Sequence, residues 1–205
     1  MDRERFLRTR RMILTRALLA PLVILLLVCA ILISFFAVHL RRRTEDKLIG
    51  LVDAHGEMLQ AFINERAADL NLAAATYTAA ELRDQPTLEL VLANLRGSSR
   101  VFFDLGFFDA DGNHLAYVGP YDLAGKNYRD TEWFRKAGGR PVFVSDVFEG
   151  YRKSPHFVMV VKKTEDGRDW FLRATIDADY FEDLVSHIRE GHTGDAYIVN
   201  ESGAL

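Results

Sequence analysis

The hydrophobic rhythm of the chain changes twice. Residues 17 to 40, "ALLAPLVILLLVCAILISFFAVHL", contain no Asp, Glu, Lys or Arg. At about 1.5 Å per residue, a helix of this length outreaches the roughly 30 Å hydrocarbon core of a bilayer, so the run predicts a transmembrane helix. Pro21 falls near its first turn, where a missing N–H costs little. From Thr44 to about Tyr77 no proline occurs, and Leu48, Val52, Leu59, Phe62, Ile63 and Leu70 recur near a 3.6-residue period. Residues 41 to 77 therefore read as a long helix emerging from the membrane. "DQPTLELVLANLRG" predicts a second helix, with Asp84 as its cap, Pro86 in the first turn and Gly97 just past the end.

Beyond Gly97 the pattern becomes strand-like. "VFFDLGFFDADGNHLAYVG" holds two extended runs around Asp-Gly, a favoured hairpin turn. "DTEWFRKA" suits a short helix. "PVFVSDVFEG", "HFVMVVKK" and "DWFLRATID" then supply three more strands, separated by "YRKSP" and "TEDGR". "ADYFEDLVSHI" is amphipathic with a helical period, and "GDAYIVNESGAL" begins another strand and turn. Five strands with a helix between the second and third predict an α+β fold, an antiparallel sheet packed on one face by helices. A doubly wound Rossmann sheet does not fit that order.

Charge gives the helix a direction. Residues 1 to 50 carry a formal balance of +6 and residues 51 to 205 one of −9. An acidic body lacks the clustered positive face that phosphate backbones require, so nucleic acid is not an expected partner. Six arginines precede the apolar run (Arg3, Arg5, Arg8, Arg10, Arg11 and Arg16), against Arg41, Arg42, Arg43 and Lys47 after it. The positive-inside rule then predicts a cytoplasmic N-terminus, residues 1 to 16, and an outer body that is periplasmic in a cell with two membranes. The run is longer than a signal-peptide core and lacks a small-x-small site before "RRR", so it is expected to be retained. The single cysteine, Cys29, lies within it and excludes an intrachain disulfide or a cysteine-based metal site.

Catalytic motifs are absent from the sequence. "DADGN" places Asp109, Asp111 and Asn113 as in the start of a calcium loop, but the glycine comes too early and Pro120 stands where the bidentate Glu belongs. The six histidines, at 39, 55, 114, 156, 187 and 192, form no zinc-hydrolase pair. No phosphate-cradling glycine loop or nucleophile elbow occurs. Asp177 and Asp179 read as strand-end or helix-cap residues rather than an acid/base pair.

What remains is a density of aromatic and polar groups: Tyr128, Arg129, Trp133, Phe134, Asp146, Tyr151, Arg152 and His156, joined by Asp177 at the end of the last strand. Small-ligand sites combine aromatic walls with a few oriented polar groups, and Arg holds carboxylates by paired hydrogen bonds. In a helix Trp133 and Phe134 point about 100° apart, so one can face the core and the other a cavity. Packing of a short helix on a sheet explains the same aromatics, and Tyr151 to Lys153 also suit a solvated loop. Asp146 and Asp177 equally suit turns or caps.

The basic start, apolar helix and long helix, followed by "FFDLGFFDADGNHLAYVGPYDLAGKNYRDTEWFRKA" and "VFVSDVFEGYRKSPHFVMVVKK", resemble the double Cache sensor domain of bacterial transmembrane receptors, in the version found in sensor histidine kinases. The resemblance covers about residues 17 to 205. It implies that residues 78 to 190 are a membrane-distal PAS-like module binding a small molecule between its sheet and the short helix. Residues 191 to 205 would start a membrane-proximal module, and the chain would be an N-terminal fragment of an inner-membrane receptor. It implies a homodimer and no cofactor in this stretch, with ATP used by a kinase domain beyond it and a cytoplasmic response regulator as partner. Relatives that sense amino acids place an Arg two residues before the Trp, where this chain has Thr131. Arg129, Arg152 or His156 is then expected to hold an organic anion. A chemotaxis receptor, a diguanylate cyclase and a ligand-free membrane-anchored dimerisation module are the alternatives.

Overall fold

The computed structural model describes residues 2 to 176. Asp177, "ADYFEDLVSHI", "GDAYIVNESGAL" and the expected second module at 191 to 205 lie outside the described residues. The chain divides into two compact units, residues 1 to 54 and 55 to 205.

The described residues of the first unit are helical and belong to α1 (Asp2–Thr76). From Leu22 to Leu40 its large apolar side chains stand exposed all round the helix, and it is long and apolar enough to cross a membrane. A helix that is apolar on every face needs lipid or protein around it. Pro21 lies inside it.

The second unit holds the rest of α1, then α2 (Ala79–Arg83), α3 (Gln85–Ser98), β1 (Phe102–Asp109), β2 (His114–Val118), α4 (Glu132–Gly138), β3 (Val142–Val144), β4 (Phe157–Glu165) and β5 (Arg168–Ile176). The five strands form one sheet in the order β2-β1-β5-β4-β3, and every pairing is antiparallel. The α+β class expected from the sequence is the class observed.

Three local features differ from the sequence reading. The short helix α2 was not foreseen; "TAAE" closes a capping box in which Thr78 and Glu81 bond reciprocally. α3 runs through Gly97 to Ser98, because the Ser99 N–H still reaches the Leu95 carbonyl and extends the last turn. "PVFVSDVFEG" forms only a three-residue strand. There the Ser145 hydroxyl accepts the Val158 N–H, and only an isolated Phe148–His156 bridge follows.

The sheet is also covered on both faces, not one. Strand alternation sends Leu105, Phe107, Met159, Val161, Leu172 and Ala174 to a core shared with Leu70 and Ala74 of α1 and with Leu88, Val91, Leu92 and Leu95 of α3. The opposite set, Phe108, Val158, Val160 and Phe171, packs with Tyr128, Trp133, Phe134 and Ala137 around α4. The second cover follows from the sequence of α4 itself: three of its seven residues are buried and apolar, so it must lie on a surface.

Candidate functional site

The stretch from Lys126 to Thr131 is fastened to the β1–β2 hairpin. Asp109 Oδ1 accepts the N–H groups of Asp111 and Asn113, while Gly112 takes φ +78. That geometry makes "DADGN" a turn, and among the described residues no group of acidic, His or Cys side chains could hold a metal. Tyr128 N–H donates to the Gly112 carbonyl at 2.8 Å, and Asn127 Nδ2 donates to Asn113 Oδ1 at 2.8 Å. The Thr131 hydroxyl donates to the Tyr128 carbonyl at 2.7 Å as α4 begins. A rigid hairpin tip thus sets the position of the helix that follows.

Between α4, the sheet and the segment from Ser145 to His156 lies a cavity of about 380 Å³. Its aromatic wall is Tyr128, Trp133, Phe143, Phe148 and Tyr151. Its charged and polar groups include Arg152, Arg173, His156, Lys136, Glu132 and Asp146. Tyr151 meets Tyr128 edge to face at 5.1 Å and its hydroxyl lies 3.4 Å from the Asn127 carbonyl, which ties the segment after β3 to the one before α4.

The floor is ionic and buried. Asp104 on β1 is fully buried and pairs with the Arg152 guanidinium. Arg152 Nη2 also donates to Thr175 Oγ1 at 2.8 Å, and its guanidinium stacks over Phe103 and Tyr121. The Tyr117 hydroxyl donates to Asp104 Oδ2 at 2.8 Å. Arg173 on β5 is equally buried, with its guanidinium 5.2 to 5.7 Å from the rings of Phe108, Tyr128 and Trp133. Its Nη2 comes only within 3.6 Å of Asp104 Oδ1, and its Nε and Nη2 have no hydrogen-bond partner among the described residues. Both buried guanidiniums therefore face the carboxylate of Asp104.

Burial lowers the Arg173 pKa from its usual value, opposed by the nearby tyrosines Tyr128 and Tyr117. Burial raises the Tyr128 hydroxyl pKa. Burial, aided by the nearby arginines, brings His156 down to about 4, and burial with Arg173 brings His114 down to about 3. Both imidazoles are neutral at pH 7. His114 lies flat on Phe108 at 4.2 Å with Nδ1 at 2.7 Å from the Leu123 carbonyl, and it does not line the cavity.

Of the residues singled out from the sequence, Tyr128, Trp133, Asp146, Tyr151, Arg152 and His156 line this one cavity. Phe134 does not: it faces the sheet, 4.8 Å from Phe171, so the 100° offset sends Trp133 to the cavity and Phe134 to the core. Arg129 does not either. It is exposed and points to Asp111 at 3.4 Å, because the Asn127 turn directs its side chain toward the hairpin. Asp177 lies outside the described residues. The solvated-loop alternative fails for Arg152, whose side chain is 5% exposed. Sequence reasoning missed Arg173 and Asp104. The available signal was an Arg inside "FLRATI" and an Asp inside "FFDLGFF", opposite charges in apolar strand runs where neither is tolerated without a partner.

No protein-family profile matches the chain, and comparison with curated proteins gives no match. Solved structures do match. An extracellular ligand binding receptor from Desulfohalobium retbaense superimposes with a TM-score of 0.59 at 14% identity, over 67% of this chain and 26% of that one. The fold is that of Cache-type extracellular sensors. The extracellular domain of a putative histidine kinase gives 0.56 at 12% identity, covering 69% of this chain and 60% of that one. The ligand-binding domain of the Campylobacter jejuni chemoreceptor Tlp3, in complex with 4-methylisoleucine, gives 0.54 at 13%, covering 66% and 59%. The chain thus spans about a quarter of the first of these proteins and about three fifths of the other two.

Proposed function

We propose that this chain is the membrane-anchored, extracytoplasmic small-molecule sensing region of a transmembrane receptor, with its N-terminus in the cytoplasm. The observation that carries this reading is the cavity beneath α4, walled by aromatics and lined by the buried Arg173 and Arg152. Support comes from the shared fold, since the matched structures are described as ligand-binding or extracellular domains of receptors. Ligand closing Tyr128, Trp133 and Tyr151 together would favour one arrangement of the unit over another, and only the difference in affinity between the two arrangements can drive a signal.

Histidine kinase output, with ATP bound in its catalytic domain and a response regulator downstream, is the parent activity we assign. It is supported by the histidine-kinase neighbour and by the sequence resemblance. Chemoreceptor output is the second reading, favoured by the Tlp3 neighbour. Labelled ATP added to membranes holding the full receptor separates them, because only the kinase acquires phosphate on its own histidine.

Sensing itself is tested by thermal shift of the 205-residue chain in detergent against amino acids, organic acids, amines and purines. A ligand that binds only the folded state raises the midpoint. If no compound does so, the ligand-free anchoring module replaces this proposal.

A further inference from the structure

We infer that Arg152 is a positioning residue for the cavity: its buried guanidinium holds residues 148 to 156 down as a strap that forms the outer wall, and the strap lifts when a small molecule passes. This rests on the sensing reading above and adds how that site is closed.

The strap is a loop with joined ends. Phe148 and His156 exchange backbone hydrogen bonds at 2.9 and 3.0 Å, and their rings meet at 4.5 Å. Phe148, Gly150, Tyr151 and His156 all line the cavity. Between the ends, Glu149, Gly150, Tyr151, Lys153 and Pro155 are exposed. Arg152 runs the other way, with its side chain 5% exposed. A 3-10 turn (Gly150–Arg152) divides the two neighbours, sending Tyr151 against Tyr128 at 5.1 Å and Arg152 into the sheet. Gly150 at φ +53 and Lys153 at φ +56 bracket that turn. A left-handed lysine persists only where its surroundings impose it, and the seating of the adjacent Arg152 does so.

The seat belongs to the sheet and not to the strap. Asp104 on β1 pairs with the guanidinium, Thr175 on β5 accepts from Nη2 at 2.8 Å, and the rings of Phe103 and Tyr121 lie 5.1 and 4.9 Å from it. Neither Asp104 nor Thr175 lines the cavity, so they act on its wall through Arg152. Charge-assisted bonds at a buried site are strong, and leaving them strands a desolvated carboxylate. The tie from the Tyr151 hydroxyl to the Asn127 carbonyl, at 3.4 Å, is weak by comparison. Lifting the strap therefore means unseating Arg152, a local opening that leaves the strands paired.

The test needs no ligand. Acrylamide, a neutral quencher that acts by contact, is added at pH 7 to the full chain in detergent in two single-tryptophan forms. Trp170→Phe leaves Trp133, which lines the cavity, and Trp133→Phe leaves Trp170, which packs on Phe107 in the opposite core. Arg152→Met is expected to raise quenching of Trp133 about twofold or more and to leave Trp170 unchanged. Hydrogen exchange should agree, with the Phe148 and His156 amides exchanging about tenfold faster or more and those of Leu172 and Ala174 in β5 unchanged. Arg152→Lys keeps a charge for Asp104 but loses the planar stack between the rings, so it should fall between the parent and Arg152→Met; it carries both readouts alone should Arg152→Met not fold. Unchanged quenching of Trp133 overturns the inference. So does a parallel rise at Trp133 and Trp170, which would make Arg152 a general support of the fold. Either result leaves the sensing reading standing, whereas a compound screen without a hit removes that reading and not the strap.

Discussion

Replacing Asp104 by Asn removes the only buried anion described between Arg152 and Arg173 while keeping shape and volume. The wild-type carboxylate accepts from Tyr117 at 2.8 Å, pairs with Arg152 and faces Arg173 at 3.6 Å, all at a site closed to solvent. Breaking a buried ion pair from one side costs about 3–5 kcal/mol, because the surviving charge stays desolvated. Asp104 faces two guanidiniums here, so a loss within that range is expected. With about 2 cal/mol/K of unfolding entropy per residue and a unit of roughly 120 to 150 residues, this corresponds to a fall in midpoint of about 10–20 °C. Both tryptophans of the chain, Trp133 and Trp170, are buried in the second unit, so fluorescence follows this unit without interference from the membrane helix. Asp104→Asn combined with Arg152→Met should be less unstable than the sum of the single variants by about 1 kcal/mol or more, since the pair is coupled. A loss below about 1 kcal/mol for Asp104→Asn, or strict additivity, would refute the view that this carboxylate neutralises the floor.

Other outcomes follow from single contacts. Arg129→Ala should leave the midpoint shift produced by any ligand found in the thermal-shift screen unchanged, since Arg129 is exposed and turned to Asp111; Trp133→Phe, which thins the cavity wall, should reduce it. Gly106→Ala should destabilise the unit by about 1–3 kcal/mol in denaturant titration, because a Cβ there would lie 2.4 Å from His114 Nε2 in a packed interior. Stability should be full above pH 6.5 and fall on acidification. His156 and His114 are held neutral down to about 4 and about 3, so between those values and 6.5 the unfolded chain binds the extra protons. Melts from pH 7.5 to 4.5 should show this, and His156→Gln should shallow the slope; a midpoint that rises on acidification would contradict the sign.

Much of this protein was legible as local pattern. The apolar run, the α3 cap at Asp84, the Asp-Gly turns and the five strands each depend on residues near in sequence, and periodicity reports them directly. The aromatic stretch around Trp133 was likewise legible, since seven residues with three large or apolar buried side chains must cover something. Two-sided covering of the sheet was not, because a short helix does not say which face it takes. The partition among neighbours was decided only in three dimensions: Trp133 to the cavity and Phe134 to Phe171, Arg152 inward and Arg129 outward. Least visible was the charged floor. Asp104 and Arg173 are 69 positions apart and meet because β1 and β5 pair with Gly106 opposite Arg173, setting Asp104 on the same face. Sequence alone determined that an α+β body follows an apolar helix. Only the long-range strand register decided which charges are buried together, because desolvation and pairing depend on neighbours that the chain's own order does not name.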